Sequence, residues 1–204
     1  MAKIRENWEQ RKLKDVMDYL PNNTLSRAEL GKNGLAYSIH YGDVLINYGE
    51  ILDLDIDHAD MIMDFDIAHK LNAGKLENGD LIFADTAEDE TVGKTSEIQN
   101  IKNRLVVSGL HTIPMRPKQM FAPGFLGYEL NSFGFRDQLK PLMQGIKVTS
   151  ISKSALANVT IKFPIELSEQ EQIASVLKKL NKIITLHQRK SRFFFESKML
   201  ICKK

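Results

Sequence analysis

The side chains with the greatest chemical potential lie between Asp80 and Lys94. Asp80, Asp85, Glu88 and Asp89 surround the apolar run Leu81-Ile82-Phe83-Ala84, and Lys94 follows them. Carboxylates gathered near a lysine around a strand can hold Mg²⁺ and activate water, which is what a nuclease requires. Glu88-Asp89-Glu90 suits a solvated turn equally well, and no second acidic strand is placed beside the first. Gly93-Lys94-Thr95 has the end of a phosphate-binding loop, but that motif needs a glycine where Glu88 stands. His40, His58, His69, His111 and His187 are never paired at metal-ligand spacing, and Cys202 is the single cysteine. The chain also has no Pro-Pro pair and no Phe-x-Gly-x-Gly, so it lacks the motifs of a methyltransferase acting on base amino groups. The expectation is a chain with no metal, no cofactor and no catalysis of its own.

Charge is more informative. The net charge is only +2, yet Asp53, Asp55, Asp57, Asp60, Asp64 and Asp66 fall in one stretch free of Lys and Arg. From Lys102 to Lys147 the balance reverses, with Lys102, Arg104, Arg116, Lys118, Arg136, Lys140 and Lys147 against Glu129 and Asp137. Such a basic middle suits an anion such as nucleic acid, or an ordinary solvated face. The N-terminus lacks the apolar core of a signal peptide, and no apolar run approaches the ~20 residues needed to cross a bilayer, so a cytoplasmic protein is expected.

The elements that must position these groups are legible in outline. Trp8 to Leu20 reads as a short amphipathic segment stopped by Pro21-Asn22-Asn23. Tyr37-Ile39-Tyr41, a Gly42-Asp43 turn and Val44-Leu45-Ile46 read as β structure, and Gly79-Asp80 is a second turn feeding strand Leu81 to Ala84 in the same sheet. Leu105 to Ile113 continues as strands that Pro114 and Pro117 end. Short helices follow, one opened by Pro123 and one capped by Asn131 or Ser132 and closed by Gly145. Lys147 to Ser152 and Val159 to Phe163 are the last strands. Ser168 and Glu171 have capping-box spacing, so a helix is expected from about Glu169 to Lys190, roughly 33 Å long. Ile173, Val176, Leu177, Leu180, Ile183, Ile184 and His187 recur along it at spacings of three and four, an apolar stripe that needs a partner helix.

Taken together, several stretches resemble the DNA-specificity subunit of type I restriction-modification systems. They are Trp8-Glu9-Gln10-Arg11-Lys12-Leu13, Tyr41-Gly42-Asp43, Gly79-Asp80-Leu81-Ile82-Phe83-Ala84-Asp85 and Val107-Ser108-Gly109-Leu110-His111-Thr112. They continue with Gly145-Ile146-Lys147-Val148-Thr149-Ser150-Ile151, Pro164…Glu169-Gln170-Glu171-Gln172-Ile173 and Leu186-His187-Gln188-Arg189-Lys190. Their order and spacing carry the resemblance, which fades after Lys190. Asn181 stands where the family usually has Asp.

The resemblance implies an α+β protein. Residues 1–167 would form one target-recognition domain, a twisted β-sheet with short helices. Residues 168–204 would form a long spacer helix and tail, pairing with a partner helix as an antiparallel coiled coil. Family members carry two such domains, each reading half of a bipartite site. This chain is therefore expected to act as a half-subunit that forms a homodimer on double-stranded DNA. It would bind methyltransferase subunits and, through them, the restriction subunit. DNA contacts are expected from Lys94, Thr95, Arg104, Arg116, Lys118, Lys147 and Thr149, with His111 ranked lower as structural. The homodimer would use Ile173, Val176, Leu177, Leu180, Ile183, Ile184 and His187. The methyltransferase would meet Glu169, Gln170, Gln172, Lys179 and Lys182. The rival readings are a truncated decoy that binds the methyltransferase without DNA selectivity, and a Mg²⁺-dependent nuclease.

Overall fold

The computed structural model describes residues 7–201, with the side chains of 7–71 and 74–188. Cys202 and the side chains of Arg189, Lys190 and the three phenylalanines 193–195 lie outside the described residues. Among the described residues the architecture is α+β, with a long C-terminal helix, Leu167–Ile201, leaving a body of sheets and short helices.

The central sheet has five strands in the order Met17–Tyr19, Thr112–Pro117, Leu81–Ala84, Thr95–Gln99 and Ile51–Asp53. All neighbours are antiparallel except the last pair. Leu81–Ala84 is buried throughout, as its uninterrupted apolar run requires, because both faces of the sheet are covered. One face meets Phe125, Leu126, Phe135 and Leu139 from two short helices, Phe125–Glu129 and Phe133–Leu139. The other meets Ile39, Val44, Tyr48 and Leu76 in a second core. A four-stranded sheet, ordered Leu105–Ser108, Ala36–Ile39, Met61–Ile62 and Leu30–Gly31, closes a third, smaller cluster.

Three expectations fail for definable reasons. Tyr41–Ile46 is a helix, not a turn and strand: the His40 imidazole accepts from the Gly42 amide and starts it. Three apolar residues in a row carry no periodicity, so the cap decides. The N-terminal amphipathic segment is strand Trp8–Lys12, helical turn Leu13–Val16 and strand Met17–Tyr19. Trp8–Lys12 extends because it pairs antiparallel with Thr160–Pro164, more than 140 residues away, a partner no local pattern reveals. Strand Thr112–Pro117 runs through Pro114 instead of ending there; the ring removes one donor while the Pro114 carbonyl still accepts from the Leu20 amide.

Other boundaries shift slightly. Of the last strands, the first contracts to Thr149–Ser150 and the second shifts by one residue to Thr160–Pro164, while Ser132 caps the Phe133–Leu139 helix as expected. The long helix starts two residues before Glu169, with the Glu169 and Gln170 amides both donating to the Glu166 carbonyl. Ser168 is therefore inside the helix rather than its cap.

Glu129, at the end of the Phe125–Glu129 helix, is desolvated, which pushes its carboxyl from 4.5 up to about 7. The folded state thus keeps a proton that the unfolded chain releases above pH 4.5. This stabilisation is complete below pH 4.5 and is lost as pH rises through 7. Glu129→Gln retains the acceptor for the Lys162 amide and removes the titration. In urea denaturation the variant should match wild type at low pH and exceed it by on the order of 1–3 kcal/mol above pH ~8.

Candidate nucleic-acid interface and helix face

Four segments far apart in sequence meet at one edge of the body. The Tyr41–Ile46 helix, the Asp85–Thr91 loop and the hairpin rising from Gln144 to Ser150 share a cleft of about 440 Å³, lined by Tyr41, Leu45, Ile46, Ala87, Asp89 and Val148 among others. Thr149–Ser150 pairs with Thr86–Ala87, and the amide of Ile151 donates to the Asp85 carbonyl, so the hairpin stands on the framework. Gln144 and Ser150 exchange both backbone hydrogen bonds at its base. Gly145 makes the tip possible: its φ is +118°, and a Cβ there would lie 1.9 Å from the Val148 carbonyl oxygen. The tip presents Ile146 fully exposed, with Lys147 exposed beside it and Val148 half-exposed.

His111 is the fourth contributor. Its φ of +53° is unusual for a residue with a Cβ. The backbone turns the ring outward, with Nδ1 3.3 Å from Asp85 Oδ1 and the Tyr41 ring edge-on at 5.3 Å. Asp85 also accepts from the Thr86 hydroxyl. Donors, acceptors and apolar tips are thus interleaved, which suits base edges and methyl groups more than phosphates alone.

The basic residues singled out from sequence are mostly engaged within the chain. Lys94 turns inward, donating to the carbonyls of Leu45 and Tyr48, and burial lowers its pKa. Thr95 is wholly buried with its hydroxyl on the Gly93 carbonyl, so it holds the sheet and cannot meet a base. Arg104 and Lys102 share Asp55. Arg116 forms a two-pronged pair with buried Asp80 at 2.8 and 2.7 Å, with Glu77 at 3.4 Å. Lys118 donates to the Lys14 carbonyl and lies 3.4 Å from Asp18. Lys147 and Thr149 belong to the hairpin. The Asp80–Lys94 set does not converge, since Asp80 faces Arg116 and Lys94 the Leu45 carbonyl. Ile146, Ile46 and Tyr41 were missed; an apolar pair around Lys147 immediately after a glycine is the signal that could have found the tip.

The helix stripe divides. Ile173 is half-buried against the main core, Leu177 is half-buried, and Ala174 between them is buried. Val176, Leu180, Ile183, Ile184 and His187 are exposed. Gln170 is buried, its Oε1 accepting from the Ala122 amide and its Nε2 donating to the Pro164 carbonyl. It is therefore an anchor of the helix base, and burial removes it from any methyltransferase surface. Glu169 accepts from the Trp8 indole at 3.1 Å. Gln172, Lys179 and Lys182 are exposed.

A family model described as the type I restriction modification DNA specificity domain matches residues 5–192. The chain belongs to this family. A putative type I restriction enzyme MjaX specificity subunit from Methanocaldococcus jannaschii is 27% identical over 186 residues, covering 90% of this chain and 42% of that protein. Among solved structures, the S subunit from M. genitalium superposes with a TM-score of 0.55 at 13% identity, covering 89% of this chain and 41% of that one. The HsdS subunit from Thermoanaerobacter tengcongensis gives 0.58 at 19% identity, covering 93% and 41%. These likenesses establish the specificity-subunit fold. The chain spans about two fifths of the length of the relatives it matches. Among the described residues no helix is long and apolar enough to cross a membrane.

Arg116 and Lys147 should separate in stability. Arg116→Ala strands buried Asp80 and should cost about 2–4 kcal/mol in chemical denaturation. Lys147→Ala, on the exposed tip, should stay within about 0.5 kcal/mol of wild type.

Proposed function

We propose that this chain is the sequence-reading half of a type I restriction-modification enzyme. Residues 1–167 act as one target-recognition domain, and two copies joined through their long helices read a bipartite site. The observation carrying the dimer is the exposed stripe Val176, Leu180, Ile183, Ile184 and His187 on a helix whose neighbouring face is already docked on its own domain. A self-complementary stripe favours closed, two-fold, antiparallel pairing, and an identical pair reads a palindrome interrupted by a gap. Methylation and cleavage come from methyltransferase and restriction subunits, and exposed Gln172, Lys179 and Lys182 are left to recruit the former.

DNA meets the hairpin edge, with Lys147 on phosphate while the Ile146 tip and the His111–Asp85–Tyr41 group face the bases. This reading rests on family membership and on the unpaired state of Lys147 compared with the engaged Arg104, Arg116 and Lys118.

Methylome sequencing of cells expressing this chain with its methyltransferase should yield one palindromic, gapped motif; methyltransferase binding without any DNA selectivity would make the chain a decoy instead. Lys147→Ala should weaken DNA binding by the assembled enzyme and reduce the slope of log affinity against log salt by roughly one. Replacing Leu180 and Ile184 with Asp should give monomers in sedimentation, and a monomeric wild-type protein at high concentration would remove the pairing model.

A further inference from the structure

The long helix is tied to its domain at two points, and the outer one is Asn181. At the base, Gln170 is locked by the Ala122 amide and the Pro164 carbonyl. Eleven residues further on, about 16 Å along the axis, Asn181 Nδ2 donates to Glu50 Oε2 at 2.8 Å. Among the described residues Asn181 is the last position of the helix with a hydrogen bond to the body. Beyond it the exposed stripe begins to dominate.

Glu50, the partner of Asn181, is itself held. Its carbonyl accepts from the Glu97 amide, and the Glu97 carboxylate fixes the start of the Phe125–Glu129 helix by accepting from the Gly124 and Gly127 amides. Glu50 precedes strand Ile51–Asp53, and a Cβ on Gly127 would lie 2.1 Å from its carbonyl oxygen, so the two segments touch backbone to backbone. The clamp therefore refers the helix to the central sheet through two short, rigid links.

We propose that Asn181 is a positioning residue for half-site spacing: its clamp on Glu50 sets the angle between helix and recognition domain. This rests on the two-copy reading above and adds to it. Magnitude decides why one hydrogen-bonded side chain matters. From Gln170 to His187 is about 25 Å, so a tilt of roughly 8° about the base displaces the far end of the stripe by about 3.4 Å. That equals the rise of one base pair. Apolar docking by Ile173, Ala174 and Leu177 is non-directional and fixes such an angle poorly.

The test uses Asn181→Asp, which sets a second carboxylate against Glu50, and the reciprocal Glu50→Gln/Asn181→Asp pair, which restores an amide-to-carboxylate hydrogen bond with reversed polarity. Spin labels at Asn103→Cys and Gln188→Cys, in a Cys202→Ser background diluted with unlabelled chain, report the helix angle without DNA. Wild type should give one narrow distance distribution, Asn181→Asp a broadened or shifted one, and the reciprocal pair a narrow one again. In methylomes, Asn181→Asp should keep the half-site sequences and add gaps one base pair shorter or longer, and the reciprocal pair should return to a single gap. An unchanged distance distribution with Asn181→Asp overturns the clamp, as does an unchanged single gap, or a loss of methylation that the reciprocal pair does not restore. A wild-type methylome with no bipartite motif would instead sink the two-copy reading, while the label distances would still judge the clamp.

Discussion

The structure depends on one buried carboxylate. Glu97 sits in strand Thr95–Gln99 and accepts from the Gly124 and Gly127 amides, drawing the Phe125–Glu129 helix onto the central sheet. Burial raises its pKa, and the amides together with Gln99 pull it back. The net upward direction means that desolvation wins: each charge-assisted bond returns roughly 1.5–3 kcal/mol, against a burial penalty of several kcal/mol per ion. What the arrangement secures is geometry. Once Glu97 fixes that helix, the preceding Ala122 amide meets Gln170, and the Glu97 amide holds the carbonyl of Glu50, the partner of Asn181. Both ties of the long helix thus trace to the same residue.

Charge follows a similar logic at a larger scale. The acidic stretch from Asp53 to Asp66 and the basic stretch beginning at Lys102 look like opposed surfaces in sequence. In space Asp55 joins the two, taking Lys102 and Arg104, while Asp60 is matched by Arg27 and Lys32 from before the acidic stretch. Part of the unevenness is thus neutralised within the fold. The cations free of such pairing are those that loops carry away from the aspartates, and Lys147 is the clearest.

The same contrast explains what the sequence could and could not reveal. Strand Leu81–Ala84, the Ser132 cap and the long helix were legible because each is set by a local rule: an apolar run after a glycine turn, a side-chain acceptor, a sustained period. The Trp8–Lys12 strand was not, because its identity comes from Thr160–Pro164. Lys94 and Thr95 misled because a Gly-Lys-Thr triplet looks the same whether the lysine faces a phosphate or two carbonyls of its own chain. The hairpin tip needs Gly145 at positive φ, and only the spatial meeting of Tyr41, Asp85 and His111 gives it meaning. Family resemblance reached the family by another route, through the order and spacing of weak motifs rather than through individual side-chain roles.

Helix geometry finally separates two surfaces that periodicity merged. At about 100° per residue, Gln170, Ile173, Ala174, Leu177 and Asn181 fall within one arc of roughly 100°. Val176, Leu180, Ile183, Ile184 and His187 fall in another, centred about a quarter turn away, with Ile184 at the boundary between them. Lys178, Lys179 and Lys182 occupy the opposite side. A single apolar stripe seen in sequence is therefore two adjacent faces, one spent on the chain's own domain and one exposed. Because they adjoin, a helix packed on the exposed face also lies close to Asn181 and its clamp. The contact that orients the domain and the contact that would pair two copies are then mechanically continuous, and a change in one is felt by the other.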